Sequence, residues 1–123
     1  MNVPEIFVYK AKVLDVYDGD TFTLLIDIGF KIYLNEKCRL MGLNCPEVAT
    51  RDLNEKAFGF EVRDYVKELI LNKEITIRTY KEGKFGRYLI DLYLEDGTKL
   101  NDLLIEKKYA KPYDGGKRGP WFE

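Results

Sequence analysis

From Val8 onward the chain alternates with a period of two. Val8, Lys10, Lys12 and Leu14 fall on one side and Tyr9, Ala11, Val13 and Asp15 on the other, up to Asp18-Gly19-Asp20. Such alternation puts successive side chains on opposite faces of a strand, and an Asp-Gly pair at its end signals a turn. Residues 21–28 are β-branched and aliphatic, and Gly29 interrupts them. Residues 30–34 alternate again, and the polar Asn35-Glu36-Lys37 precedes a further apolar run over residues 38–43. The pattern predicts a three-stranded meander.

Asn44-Cys45-Pro46 ends that sheet segment, because proline lacks a donor and restricts the residue before it. A loop is expected up to about Asp52. Asp52 and Glu55 have the spacing of a capping box, and Phe58, Val62, Tyr65, Val66 and Leu69 then recur at helical spacing. They predict one amphipathic helix of about four to five turns. Residues 75–80 alternate as a fourth strand, followed by the loop Lys81-Glu82-Gly83-Lys84-Phe85-Gly86. In the fifth strand Tyr88, Ile90, Leu92 and Leu94 share a face, while Arg87 lies on the other with Leu89, Asp91 and Tyr93; Asp96-Gly97 closes it. A short helix carrying Leu100, Leu103 and Leu104 comes next, and a Gly-, Pro- and Lys-rich tail begins at about Lys111, partly disordered by expectation. The fold class that follows is mainly β with helices (α+β). It is a five-stranded Greek-key barrel of the OB type, with one helix between strands 3 and 4 and a short helix after strand 5.

The 123 residues fit a single domain spanning 1–123, and the 46% hydrophobic content suits a packed core. No apolar run approaches the roughly 18 residues of a membrane span. The opening MNVPEIFVYK has no basic segment followed by an apolar one. We therefore expect a soluble, unprocessed, cytoplasmic protein without membrane contact; phage or mobile-element origin and export by another route stay open. The 20 Lys and Arg against 21 Asp and Glu give a charge of −1, so any contact with nucleic acid must be local. Two basic clusters qualify: Lys73, Arg78, Lys81, Lys84 and Arg87, and Lys107, Lys108, Lys111, Lys117 and Arg118. Either one alone reads equally well as a solvated charged surface.

The chain contains no histidine. That excludes a Ser-His-Asp triad, a Cys-His pair and a zinc-binding HExxH helix, and leaves proton transfer to a carboxylate, Lys or Tyr. Cys38 and Cys45 are too few for a disulfide scaffold or a thiolate zinc site, and read as reduced, buried small hydrophobes.

Asp18-Gly19-Asp20-Thr21 reads as a hairpin turn or as oxygen donors for a hard cation. Val16 stands where an EF-hand loop needs an oxygen ligand, so that motif is excluded. Arg39 sits in an apolar strand, where a guanidinium needs a partner, and a phosphate can be that partner. Asn44 and Glu47 can reach the same sheet rim. Lys84, Phe85 and Arg87 combine charge for phosphate with a ring for stacking.

Taken together, DGDT at 18–21, RLMGLNCPE at 39–47 and GKFGR at 83–87, in that order around one helix, resemble the staphylococcal nuclease (thermonuclease) family. The resemblance runs from about Tyr9 to Tyr113 and includes the stretch YLEDGTKLNDLLIEKKYAK. It implies an OB-fold nuclease that binds Ca²⁺ and hydrolyses phosphodiester bonds of DNA and RNA, leaving 3′-phosphates. It further implies Asp20, Asn44 and Cys45 as the metal site, the last through its backbone carbonyl. Arg39, Glu47 and Arg87 would be the catalytic set, and Lys84, Phe85 and Tyr113 the substrate contacts. Asn44 is a departure, an amide where the best-known members carry a carboxylate, so weaker Ca²⁺ binding or altered metal tolerance is expected. A hairpin elaboration through Gly29-Phe30 and Asn35-Glu36-Lys37 is a second departure, and the stop soon after Trp121 leads us to expect no long C-terminal helix.

With no histidine, Glu47 is the natural base for a water, and the two arginines suit the charge that develops at phosphorus. Little in the chain is built to read base edges, so slight sequence preference, single-stranded DNA and RNA substrates and a monomer are expected. The rival reading is a non-catalytic OB-fold module that grips single-stranded nucleic acid or a protein partner.

Overall fold

The computed structural model describes residues 6–82, 86–113 and 121. The elements are β1 (Val8–Asp18), β2 (Thr21–Asp27), β3 (Tyr33–Leu40), β4 (Leu43–Asn44), α1 (Leu53–Ile70), β5 (Glu74–Glu82), β6 (Tyr88–Tyr93), α2 (Leu100–Glu106) and β7 (Lys111–Pro112). Strands β1, β2, β3, β6 and β5 close into a barrel in that order, with β1 antiparallel to β5 and β3 parallel to β6. The five-stranded barrel with a helix after its third strand and a short one after its fifth is the architecture expected from the pattern. Among the described residues no helix is long and apolar enough to cross a membrane.

Inward positions of the strands supply the core. Val13, Phe22, Leu24, Cys38, Leu40, Ile77, Ile90 and Leu92 are buried, and Val62, Val66 and Ile70 of α1 join them. Each such aliphatic or aromatic side chain contributes about 1.5–3 kcal/mol through burial.

The structure corrects the sequence reading at four places. Asn35-Glu36-Lys37 does not interrupt the sheet: β3 runs through it, paired with β2 from Tyr33↔Asp27 to Arg39↔Thr21. These residues are polar because the hairpin extends past the barrel, where even the inward-side Leu34 is exposed. At the hairpin tip Ile32 N–H donates to Gly29 O, while Phe30 (φ 56°) and Lys31 (φ 62°) both occupy the left-handed region. That is the twist a two-residue hairpin turn requires, here carried by two non-glycine residues. The run over residues 38–43 is two elements, because Gly42 (φ 86°) turns the chain between β3 and β4. Lys111 and Pro112, placed at the start of the tail, form β7 and pair with β4, Asn44 opposite Lys111; residues 114–120 lie outside the described residues.

The fourth correction concerns α1. Asp52 caps it, its carboxylate accepting from Asn54 N–H at 3.0 Å and Glu55 N–H at 3.1 Å. Glu55 does not simply close a capping box: its carboxylate accepts the backbone N–H of Glu47 at 2.9 Å, tying the helix to the preceding loop. The buried stripe is Glu55, Gly59, Val62, Val66 and Ile70, flanked by partly buried Phe58, Tyr65 and Leu69. Phe58 meets Tyr109 and Trp121 edge-on at 5.9 and 5.7 Å between ring centres.

A Cβ on Gly59 would stand 2.6 Å from Glu47 O, so the helix backbone lies directly on the 46–47 segment. Gly59→Ala gains about 1 kcal/mol of helix propensity but meets unyielding backbone, an overpacking cost of about 1–3 kcal/mol. We expect net destabilisation in urea unfolding; a stabilised variant would contradict this packing.

Candidate active site

The Asp18–Thr21 hairpin, the end of β3 and the chain around β4 meet at one barrel rim. Asp20 is 4% exposed. Its Oδ1 accepts from Thr21 Oγ1 at 3.0 Å and its Oδ2 from Cys45 N–H at 2.9 Å. Arg39 Nη2 reaches the same Oδ2 at 3.5 Å, Leu43 O at 3.3 Å and the side-chain oxygen of Asn44. Arg39 reaches them because β3 pairs Arg39 with Thr21 and alternation turns it away from the buried Cys38 and Leu40. The small residue between the two aspartates is also explained. A Cβ on Gly19 would lie 2.6 Å from Val62 Cγ1 and 2.9 Å from Cys45 Sγ, so only glycine lets α1 pack onto this turn.

Tyr113 covers the cluster from above. Its backbone N–H donates to Gly42 O at 2.9 Å, and its ring centre lies 5.4 Å from the Arg39 guanidinium carbon. The β4–β7 pairing brings it there, which makes the first residues of the C-terminal segment part of the site's wall. Asn101, 3% exposed, steadies the rim from below. Its amide donates to Met41 O at 3.0 Å and Ile90 O at 3.2 Å, and its oxygen accepts Leu92 N–H at 3.0 Å.

Glu47 is half-buried on the loop held by Glu55 and Gly59. Arg87 directly precedes β6. In the parallel pairing Arg39 stands opposite Leu89, two residues after Arg87. Among the described residues no carboxylate pairs with Arg87, a half-buried guanidinium suited to an anion from outside. Lys84 and Phe85 lie outside the described residues.

A family model described as staphylococcal nuclease homologue matches residues 37–119. The chain belongs to that family. Its members' resemblance extends to named proteins: an uncharacterized endonuclease of Escherichia coli is 25% identical over 85% of this chain and 61% of its own length. Endonuclease YhcR of Bacillus subtilis is 29% identical over 85% of this chain but 9% of its own. An uncharacterized 38.1 kDa protein of Capnoides sempervirens is 26% identical over 68% of this chain and 23% of its own. The chain thus spans about three fifths of the Escherichia coli relatives it matches.

The matched stretch of this family member contains Arg39, Asn44, Cys45, Glu47, Arg87 and Tyr113, whereas the Asp18–Thr21 turn lies before it and reaches the site through the fold. Two residues were not singled out by sequence reasoning. Glu55 was read only as a capping partner, and Asn101 of the short helix was not considered; a polar residue beside Leu100 on a buried face was the available signal.

Asp20 and Asn44 present oxygen donors of the kind a hard cation takes, and two residues before Asp20 the Asp18 Oδ1 is buried with no hydrogen-bond partner among the described residues. Only two carboxylates converge, and the described residues contain no group of three Asp, Glu or Cys side chains placed for a metal. The positive charge now balancing Asp20 is Arg39. The two cysteines are free and buried, and burial pushes the Cys38 thiol up to about 12, so Cys38 is not a poised thiolate.

Burial, with the charge of Asp20 adding to it, pushes Asp18 up to about 8. The folded protein therefore holds a proton that the unfolded chain releases at about pH 4, and stability falls as pH rises from about 4 to 8. With a chelator present, Asp18→Asn should raise the melting temperature by several degrees at about pH 8.5 and little at about pH 5. Calorimetry showing the same shift at both pH values would contradict the buried protonated carboxyl.

Proposed function

We propose that this rim hydrolyses phosphodiester bonds of DNA and RNA, with a preference for single strands and little sequence specificity. The observation that carries the reading is the convergence of Asp20, Arg39 and Asn44 beneath Tyr113, next to the β3–β6 pairing that Arg87 directly precedes. Family membership and the endonuclease names of the relatives point the same way.

Asp20, the Asn44 side chain and the Cys45 carbonyl would hold Ca²⁺, which when bound supplies positive charge against the phosphoryl oxygens. Glu47 accepts a proton from a water as the water oxygen bonds to phosphorus. The bond from phosphorus to the 5′ oxygen breaks, the leaving oxygen takes a proton from solvent, and the 3′-phosphate stays on the other fragment. Arg39 orients the phosphate, and Arg87 donates to the oxygens on which charge accumulates. A planar guanidinium gives two parallel hydrogen bonds, which a lysine cannot. Tyr113 stacks on the sugar or base, with Lys84 and Phe85 as further contacts. The chain acts as a monomer in this reading, since one copy supplies every residue.

Digestion of denatured plasmid DNA tests it. Wild-type protein should cut with millimolar Ca²⁺ and stop with chelator, and Glu47→Gln should lower the rate by about 10² or more with the fold unchanged by circular dichroism. Cleavage by Glu47→Gln at the wild-type rate would remove Glu47 as base. Retention of DNA without any cleavage would replace the enzyme with a binding module.

A further inference from the structure

We propose that the open edge of β3 at residues 33–35 joins a second copy of this chain, as a two-fold pair of hairpins with Leu34 facing Leu34 across the axis. Each copy keeps its own rim, so the pairing goes beyond the phosphodiesterase reading and does not depend on it. Hydrogen bonds at both ends of β3 fix which backbone groups face that edge. Leu40 N–H donates to Asp20 O at 2.9 Å and Ile32 O accepts from Ile28 N–H at 3.1 Å, so even-numbered residues point to β2. Met41 N–H donates to Ile90 O at 2.8 Å, so odd-numbered ones point the other way. The β2–β3 register runs without a shift from Arg39 to Tyr33 and carries this alternation along the strand. Strand β6, however, pairs with β3 only at Cys38, Arg39 and Leu40. Among the described residues, the N–H and C=O groups of Tyr33, Asn35 and Lys37 therefore face an edge that no strand covers.

The chemistry of this edge selects a strand of the same chain as its occupant. Residues 33–35 carry none of the usual guards of an open edge: no proline, no charged side chain, and no bulge in the pairing with β2. Apolar groups cluster on and beside it, Ile32 49%, Tyr33 57% and Leu34 42% exposed. A lipid surface would take those side chains but leave the edge N–H and C=O groups unpaired in an apolar medium. A second hairpin satisfies the backbone and covers the side chains together.

Symmetry and sterics leave one register. In an antiparallel two-fold pair, odd residues must oppose odd ones here for N–H to meet C=O. Centring the pair on Asn35 would set Ile32 of the second copy opposite Cys38, where Tyr88 already stands. Centring it on Glu36 would also set like charges face to face. Centring it on Tyr33 would bring Asn35 opposite Lys31, which lies in the hairpin turn with φ 62°. Centring it on Leu34 stops short of β6 and pairs Tyr33 with Asn35 twice, about four backbone hydrogen bonds at two per pair. Leu34 then meets its copy at a non-hydrogen-bonded position, where opposed side chains approach closest. The contact is small, so the association is weak and depends on concentration.

Sedimentation velocity from about 10 μM to about 1 mM tests the pairing, and wild type should shift from monomer toward dimer across that range. Leu34→Glu and Leu34→Lys, at an exposed position and with folds checked by circular dichroism, should each stay monomeric, because like charges meet at the axis. An equimolar mixture of the two should associate again. Asn35→Pro removes a donor from the open edge and none from the β2–β3 pairing, and should weaken association by about tenfold or more. Wild type that is monomeric at about 1 mM, dimers that survive both Leu34 variants, or a mixture that stays monomeric would each overturn the proposal. Monomeric wild type that co-sediments with phosphatidylcholine vesicles would overturn it in favour of a membrane surface.

Discussion

A carboxylate 4% exposed at the end of a hairpin must have its lost hydration replaced, and for Asp20 three parts of the chain do so. Its own neighbour Thr21, the backbone of Cys45 and the guanidinium of Arg39 all converge on its two oxygens. Those contacts join the β1–β2 turn, the end of β3 and the segment after β4, which sequence separates by up to 25 residues. Removing the side chain would leave Arg39 with the Leu43 carbonyl, the Asn44 side chain and the Tyr113 ring, and would take from the Cys45 N–H the carboxylate oxygen it donates to. An unmatched buried charge or donor is costlier than the pair is stabilising, so the rim is specified by what it cannot tolerate losing.

Helix α1 sets the second half of the site through two close approaches. Gly19 lets Val62 reach the aspartate turn, and Gly59 lets the helix lie on the Pro46-Glu47 backbone, which Glu55 then grips through the Glu47 N–H. Each contact is short because no side chain stands between. The same packing that completes the barrel core therefore fixes where the Glu47 loop begins, and places stability and site geometry on common residues.

Much of this was legible in the sequence. Period-two alternation marks every barrel strand, the Asp52 cap and apolar stripe mark α1, and the histidine count narrows the chemistry before any fold is known. Spacing alone also put Arg39 and Asn44 on one rim, where they are in contact. What was hidden depended on contacts between distant segments. The polar Asn35-Glu36-Lys37 looked like a break because local pattern does not say where a hairpin leaves the core. Lys111 and Pro112 have no strand pattern of their own and pair only because β4 offers an edge. Asn101 bonds backbone 60 residues away, and Glu55 reaches back across the loop to Glu47 rather than within its own helix, pairings no local periodicity encodes.

The central claim is that the charge on Asp20 organises a phosphodiester-cleaving rim. Asp20→Asn tests it most directly, because the amide keeps the size and one acceptor oxygen while removing the charge. With a folded barrel verified by circular dichroism and saturating Ca²⁺, the initial rate on denatured DNA should fall by about 10² or more relative to wild type. A folded Asp20→Asn protein that cuts at the wild-type rate would contradict the account.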